Sequence, residues 1–392
     1  MLGLALVTML LVALETGAAG FAVGLLLALL PLPIYIALAL WIDRYEKEPF
    51  LMIGLAFLWG ASVAVFFSFI LNSLMGALFV ALVGASFAQV AGAVLSAPLI
   101  EETAKGGALF LLYFWKRDEF DNVTDGILYA ALAGLGFATT ENVLYYGSAF
   151  AEGIHGPIVA FFLRGILSPF SHPLFTAMTG IGLGLAREFR HGSWRWLAPV
   201  VGLVLAIALH AAWNLSASLG VVFFATYLFV MVPFFLGALA LVAWSLRRER
   251  GILRAHLAPY AAAGELSADE LDGLVSARSR FRSRLAAARA EGLRGWRRAG
   301  AFHHAAGELA FHRWRQSRGL GRGSTADLTR EREVLDRLRA VRGRRSQSPA
   351  TRPPVIGVAD APGSADVPGP PPFLGSADAP SRGPDGGDTL AR

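Results

Sequence analysis

The amino-acid sequence predicts an all-α protein: a polytopic bundle of transmembrane helices followed by a helical tail. Hydrophobic residues make up 55% of the 392 residues, and the mean hydropathy is +0.51, far above the value of soluble domains. The apolar residues form runs of about 20, the length that crosses a bilayer as a helix. They predict a membrane domain over residues 1–246, a cytosolic Arg-rich helical region over 247–345 and a disordered, Pro/Gly/Ser-rich tail over 346–392.

Eight apolar segments are interpreted as membrane spans, which gives eight or nine spans in total. Residues 1–14 are apolar but short, so they form either a ninth span or an interfacial segment. One span is interrupted by SPFSHP at 168–173, where two prolines each remove a backbone donor and break the helix. The predicted spans cover residues 21–42, 51–71, 76–95, 98–115, 126–147, 158–186, 196–217 and 221–246.

The Lys and Arg residues of the short loops predict the orientation of the bundle. Most of these charges follow the spans that end near residues 115, 186 and 246, so that side is predicted to be cytoplasmic, together with the tail. The span count assigns Arg44 and Lys47 to the opposite side. The chain is therefore expected to be a multi-pass protein of the cell (plasma) membrane.

Several classes of chemistry are excluded or disfavoured by the composition. Cysteine is absent, which excludes disulfides, thiolate nucleophiles and Cys-ligated metals. No GxSxG motif surrounds Ser168 or Ser171, so a serine triad is disfavoured. The basic tail carries no nucleic-acid-binding motif, and its arginines instead favour contact with anionic lipid.

Polar residues that are costly inside a bilayer occur on four different spans. The predicted orientation places them at similar depth, in the outer half of the membrane, so they are expected to converge on one buried site. The candidate catalytic residues are Glu101, Glu102, Glu141, His172, His210 and Asn214, and the expected supporting residues are Lys105, Asn142 and Arg164.

Spacing supports this convergence. Glu101 and Lys105 stand four residues apart, as do His210 and Asn214, so each pair shares a helix face. Pro98 suits the first turn of a helix, which would put the following carboxylates near the positive end of the helix dipole. A carboxylate beside an imidazole fits a general base that activates water.

The same residues also have structural explanations. Glu101 and Lys105 could form an ion pair at a helix end, and Glu141 with Asn142 an interhelical hydrogen bond. His172 could cap the broken helix. Intramembrane carboxylates also occur in ion- or proton-coupled transporters, and a non-catalytic scaffold or immunity protein would use them for packing alone.

In order, the motifs EExxK at 101–105, FxxxEN at 137–142, a histidine in a Pro-broken span and HxxWN at 210–214 resemble those of the PrsW family of intramembrane proteases. That family is related to the CAAX-prenyl endopeptidases and bacteriocin-processing proteins. The resemblance extends over roughly residues 20–246. It implies a polytopic protease that cleaves a membrane-anchored protein, such as an anti-sigma factor, with the candidate residues as its site.

Two mechanisms are compatible with these residues. In the favoured, metal-free one, Glu101 or Glu102 is the general base, helped by His172, while His210 and Asn214 polarise the scissile carbonyl and Glu141 shares a proton or positions water. A His₂Glu zinc site is the alternative. It is disfavoured because HExxH is absent, and because the wider superfamily often has histidine where this chain has Glu141.

Overall fold

The computed structural model describes residues 1–117, 119–188, 192–319 and 324–342, and every regular element in these residues is helical, which confirms the predicted fold class. The helices before the tail are α1 (Leu2–Leu29), α2 (Leu32–Ile42), α3 (Phe50–Leu58), α4 (Val65–Val83), α5 (Ala85–Ala91), α6 (Ala97–Trp115), α7 (Val123–Ala149), α8 (His155–Phe161), α9 (Ser171–Glu188), α10 (Trp194–Ser218) and α11 (Val221–Thr226). They are followed by α12 (Val232–Ala262), α13 (Ala268–Val275), α14 (Ala277–Ser317) and α15 (Ser324–Arg342).

Short π-helical segments extend or join several of these helices. They are Trp59–Ala64, Gly92–Ser96, Phe162–Leu167 and Tyr227–Met231. The first makes α3 and α4 one continuous helix over Phe50–Val83, and the second makes α5 and α6 one continuous helix over 85–115. Such segments are rare in proteins and are often found at functional sites.

The apolar stretch between residues 50 and 115 forms two antiparallel helices, whereas the sequence predicted three spans. The turn between them lies at Gly84, whose φ of +79° is accessible mainly to glycine. More than three helical turns from Gly84, the Ser96 hydroxyl donates to the Asn72 side chain at 2.9 Å, and Ser73 donates to a backbone carbonyl of its own helix. Because these polar residues are satisfied inside a helix, they do not form the loop that the prediction placed there, and the predicted span 76–95 straddles the true turn.

This topology places the loop between α2 and α3 on the same side of the bundle as the tail. Arg315 of α14 contacts Glu46 in that loop at 2.9 Å and Asp121, just before α7, at 2.7 Å. The prediction that Arg44 and Lys47 lie opposite the tail is therefore wrong. Two helices, and not the predicted three, separate their loop from the loop before α7, so both loops lie on the same side of the bundle.

Residues 1–14 form the first part of α1, which bends at Gly17. Among the described residues, six helical runs are long and apolar enough to cross a membrane. They are Leu2–Ile42, Phe50–Val83, Val123–Glu152, His155–Glu188, Trp194–Ser218 and Val222–Ala262. The predicted total of eight or nine spans stays a prediction.

The helix break at SPFSHP is confirmed. The π-helical segment ends at Leu167, and α9 begins at Ser171. Beyond the break, α9 packs closely on the central helix α7. A Cβ atom added at Gly180 of α9 would lie only 2.1 Å from the carbonyl oxygen of Gly126 in α7. This small-residue contact lets the two backbones approach each other and fixes the height at which His172 faces Glu141.

The tail helices pack onto the ends of the membrane helices. One apolar cluster joins Tyr45 and Val123 of the membrane region to Leu309 and Phe311 of α14. Ser267 and Glu270 form a capping box at the start of α13. Two further helices, α14, which bends at Gly292, and α15, follow in the region predicted to be helical.

The division of the chain into three regions stays a prediction, and α12 runs continuously across the predicted boundary at residue 246. The predicted disordered segment 346–392 lies outside the described residues, as does Arg190 among the loop charges used for the orientation.

The loop between α2 and α3 holds acidic side chains under the tail. Asp43 is only 8% exposed, and its Oδ1 accepts a hydrogen bond from the backbone N–H of Glu48 at 2.9 Å. Burial raises the pKa of Asp43 to about 7. Burial also raises the pKa values of Glu46 and Glu48 well above the ordinary value.

We therefore expect the stability of the protein to fall as the pH rises from about 4 to about 7. In this window the Asp43 carboxyl is ionised in the unfolded chain but keeps its proton in the folded one, so folding is favoured at the lower pH. Asp43→Asn should raise stability at pH 8 by roughly 4 kcal/mol and leave it unchanged below pH 4. Thermal unfolding in detergent at several pH values measures this, and a gain that does not vary with pH would contradict it.

Candidate active site

The predicted acidic and imidazole residues converge on one buried centre. Glu101 and Glu102 come from α6, Glu141 from α7, His172 from α9 and His210 from α10. Hydrogen bonds link His172 to Glu141 at 2.8 Å and His210 to Glu102 at 2.9 Å, and the rings of the two histidines lie 5.1 Å apart. The predicted convergence of four helices is confirmed.

Glu102 is the most completely satisfied carboxylate of the centre. It is fully buried. Its Oε1 accepts hydrogen bonds from Lys105 Nζ at 2.5 Å and from His210 Nδ1 at 2.9 Å, and its Oε2 accepts one from Thr176 at 2.9 Å. With three donors in place, the Glu102 carboxylate fixes the positions of the side chains around it.

Glu101 differs from its neighbour because one of its oxygens is uncommitted. Its Oε1 receives a long contact from the Asn72 amide at 3.4 Å. Its Oε2 is buried without a hydrogen-bond partner and lies 3.9 Å from His210 Nε2. Since a buried carboxylate oxygen without a partner is costly, this oxygen is poised to bind a water molecule or a cation.

Glu141 lies between Arg164 and His172. Its Oε2 contacts Arg164 Nη2 at 2.5 Å and His172 Nε2 at 2.8 Å. The Asn142 amide oxygen accepts from Arg164 Nε at 2.8 Å, and the guanidinium stacks on the Tyr145 ring at 3.9 Å. The expectation that Arg164 pairs with a carboxylate of the site is confirmed, and the pair fixes the orientation of His172.

Lys105 pairs with Glu102 rather than with Glu101 as the i,i+4 spacing suggested. The side chains of both partners are fully buried. The same ammonium contacts His172 Nδ1 at 3.2 Å and lies 4.3 Å from the centre of the Phe137 ring. Because an ammonium group can only donate, it places the His172 proton on Nε2, which then donates to Glu141.

The stretch around Pro98 is a helix interior and not the helix start that the sequence suggested. Ala97 N–H bonds to the carbonyl of Gly92, the π-type pattern. The next such bond would run from residue 98 to Ala93, but proline has no N–H. The carbonyl of Ala93 accepts from the Asn214 amide at 2.8 Å instead. This contact is structural, and the predicted catalytic role of Asn214 stays a prediction.

This continuity also changes the position of the two carboxylates along their helix. Glu101 and Glu102 were expected in the first turns of a helix that starts at the outer face. They instead lie near the midpoint of the continuous helix 85–115. The centre therefore lies near the middle of this helix, close to the helix break before His172, and its predicted depth in the outer half of the membrane stays a prediction.

Two residues of the centre were not predicted from the sequence. Thr176 stands four residues after His172, so its position on the same face of α9 was the available signal. Asn72 is a single amide in the apolar sequence FILNSLMG. Its rarity in such a helix was a signal, but no motif or spacing tied it to the other site residues.

The donor atoms also fit a metal ion. Glu101, His172 and His210 each offer one ligand atom, and these atoms lie within 4.8 Å of one another. His210 donates its Nδ1 proton to Glu102, the arrangement that orients metal-binding histidines and leaves Nε2 free. The partnerless oxygen of Glu101 faces the same space. Two histidines and one carboxylate form a known ligand set for catalytic zinc.

The fold and this centre together define a class: a polytopic helical membrane protein with a buried carboxylate and imidazole site. Residues 48–238 match the model of the family described as PrsW family intramembrane metalloprotease. The chain is similar to this family over just under half of its length. All nine predicted site residues lie within the matched range.

Three relatives, each named Protease PrsW, illustrate the similarity. The chain is 37% identical to that of Geobacillus kaustophilus over 147 residues, which cover 37% of this chain and 58% of the relative. It is 30% identical to that of Oceanobacillus iheyensis over 150 residues, or 38% and 63% of the two chains. With that of Bacillus subtilis the identity is 28% over 199 residues, or 49% and 79%. The chain thus spans about three fifths of the first two relatives, and no solved structure matches it.

We expect Lys105→Met to destabilise the fold by about 3–5 kcal/mol, because it leaves the buried Glu102 carboxylate without its cation. Adding Glu102→Gln should restore part of this loss, since the uncompensated charge is then removed. Thermal unfolding of the single and double variants in detergent measures the coupling. Lys116→Met, at an exposed lysine, is the matched control, and equal effects at both lysines would contradict the buried pair.

Proposed function

We propose that the chain is an intramembrane protease that hydrolyses a peptide bond of a membrane-anchored protein. The observation that carries this proposal is the convergence of four helices on a centre with one uncommitted carboxylate oxygen, that of Glu101. The match to the PrsW family model and the similarity to relatives named as proteases support it. An anti-sigma factor is the substrate class that the family resemblance suggests.

In this proposal Glu101 binds the attacking water and accepts one of its protons. The water oxygen forms a bond to the scissile carbonyl carbon, and the carbonyl oxygen becomes an oxyanion. Protonated Glu101 then gives its proton to the leaving nitrogen as the C–N bond breaks. Glu102 does not serve as the base, because three donors already occupy its oxygens.

His210 is the group nearest to the developing oxyanion. Three carboxylates and the two cations Lys105 and Arg164 leave one negative charge in excess, and in this proposal a second proton on His210 balances it. Its Nδ1–H is held by Glu102, so Nε2–H points towards the reaction centre and stabilises the oxyanion. His172 is fixed between Lys105 and Glu141 and shapes the site beside it.

The same residues are compatible with the metalloprotease description of the family. Glu101, His172 and His210 would hold a divalent cation such as zinc, which supplies Lewis-acid polarisation of the scissile carbonyl when bound. His210 would then be neutral at Nε2. His172 would also exchange either its Nδ1 contact with Lys105 or its Nε2 contact with Glu141 for the metal, so the two forms of the site differ at both histidines.

We also propose that the tail side faces the cytoplasm. The basic residues of the short loops lie on that side of the bundle, including Arg44 and Lys47, and this matches the positive-inside pattern. Arg278, Arg282 and Arg289 of α14 are exposed and suit contact with anionic lipid. The centre would then be reached from within the plasma membrane.

Glu101→Gln should abolish proteolysis, with a loss of about 10²–10⁴-fold, while the protein still inserts and folds. The measurement compares released ectodomains in cells that express the wild type or the variant. Glu152→Gln, the same change at an exposed carboxylate, is the control and should behave like the wild type. An identical set of released proteins with wild type and Glu101→Gln would contradict the proposal.

A chelator separates the two forms of the mechanism. If Glu101, His172 and His210 hold zinc, we expect EDTA to remove both activity and about one equivalent of bound zinc, and zinc addition to restore them. In the metal-free form, purified protein of full activity contains less than stoichiometric metal, and EDTA leaves cleavage unchanged. Metal analysis of the purified protein provides a readout that does not depend on activity.

A further inference from the structure

We infer that the cleft between α1 and α4 holds the substrate, and that Ser68 and Asn72 are its polar contacts. This inference rests on the proposed function and deepens it. The cleft has a volume of about 340 Å³, within the range of ligand-binding pockets. Glu101 and Glu141 of the candidate active site line one end of it.

The walls of the cleft are mostly apolar. Leu11 and Val12 of α1 face Phe66 and Phe69 of α4. On α1 itself, Leu6, Leu10 and Leu14 are each at least 60% exposed, so this half of the helix is only loosely covered by the rest of the bundle. A cleft with these walls suits the apolar side chains of a membrane segment.

Ser68 gives the cleft a buried polar group that the protein does not satisfy. The residue is only 3% exposed, and its hydroxyl has no hydrogen-bond partner. Most hydroxyls of membrane helices donate to a carbonyl of their own helix, as Thr8 and Ser73 do at the same cleft. A buried hydroxyl without a hydrogen-bond partner is costly. The presence of Ser68 therefore points to a ligand that supplies the missing hydrogen-bond partner.

Asn72 connects the cleft to the catalytic carboxylate. Its Oδ1 accepts from Ser96 at 2.9 Å, and this bond fixes the amide so that Nδ2 faces Glu101 at 3.4 Å. The Nδ2 group has two protons, and the long contact to Glu101 engages one of them only weakly. The amide can therefore donate to a substrate carbonyl beside the oxygen that activates water.

A substrate segment inside a membrane needs hydrogen-bond partners for its backbone, and these polar groups can supply them. A peptide bond must leave its helix before it can be attacked, and each unpaired backbone group in hydrocarbon costs several kcal/mol. Ser68 and Asn72 can donate to substrate carbonyls, while the hydroxyl of Thr8 can accept from a substrate N–H group. The cleft thus fits an extended, apolar segment of a membrane-anchored protein.

The absence of cysteine allows a direct test, because any single introduced cysteine is a unique label. Leu11→Cys and Ser73→Cys place a thiol on each wall of the cleft, and Leu82→Cys places one on the lipid-exposed end of α4. Benzyl methanethiosulfonate then adds a removable benzyl group. Modification at either wall should lower release of an ectodomain identified with the wild type at least tenfold, and a reductant should restore it.

The controls are an unmodifiable wild type and modified Leu82→Cys, both of which should keep full activity. In parallel, a synthetic transmembrane peptide of Leu and Ala with a central benzoylphenylalanine serves as a photocrosslinking probe. We expect it to crosslink to the Leu11 and Phe69 walls, and we expect benzyl modification of Ser73→Cys to prevent this.

Ser68→Ala adds a readout that a merely structural residue would not move. Removing a partnerless buried hydroxyl should leave the thermal unfolding midpoint unchanged or raise it, yet lower kcat/KM about threefold to tenfold through loss of one substrate hydrogen bond. Full cleavage after modification of both walls, with crosslinks elsewhere, would overturn the cleft assignment. Crosslinking at the cleft without cleavage by the wild type would instead overturn the protease proposal.

Discussion

The hydrogen bonds around Glu102 are the constraint on which the rest of the centre depends. A fully buried carboxylate is tolerated only when its charge and its lone pairs are both satisfied, and here Lys105, His210 and Thr176 do so from three helices. The geometry of each donor follows from that requirement. His210 must present Nδ1 to Glu102, so Nε2 faces Glu101, and Lys105 must lie where it also contacts His172 Nδ1.

Satisfying Glu102 leaves Glu101 chemically distinct, although the two residues are adjacent in sequence. Neighbours on a helix point about 100° apart. The Glu102 carboxylate is therefore surrounded by hydrogen-bond donors, while the Glu101 carboxylate faces the cleft and keeps one oxygen without a partner. The difference between a fully hydrogen-bonded carboxylate and one with a free oxygen is thus set by helix geometry.

The sequence predicted the class of fold and the acidic and imidazole residues that meet at the centre, because costly polar residues in apolar helices have few structural uses. It did not predict the partner of Lys105, since i,i+3 and i,i+4 neighbours are both within reach and His172 decides between them. Asn72 was not recognised because a single amide in an apolar helix forms no sequence motif with the other site residues. The side of the bundle predicted for Arg44 was wrong because the helix ends at Gly84 and not at the polar residues 72 and 73. Only long-range contacts, such as that of Arg315 with Glu46, reveal this.

The π-helical segments have a consequence for how the centre is built. An additional residue in one helical turn rotates everything beyond it by about 100° relative to an uninterrupted α-helix. Gly92–Ser96 precedes Glu101, and Phe162–Leu167 contains Arg164. Each segment thus sets the direction in which Glu101 or Arg164 points. The part of the helix before the segment can keep its apolar face towards lipid whatever that direction is. A chain can in this way keep a lipid-compatible exterior and still aim charges inwards, with the rotation encoded by a single inserted residue.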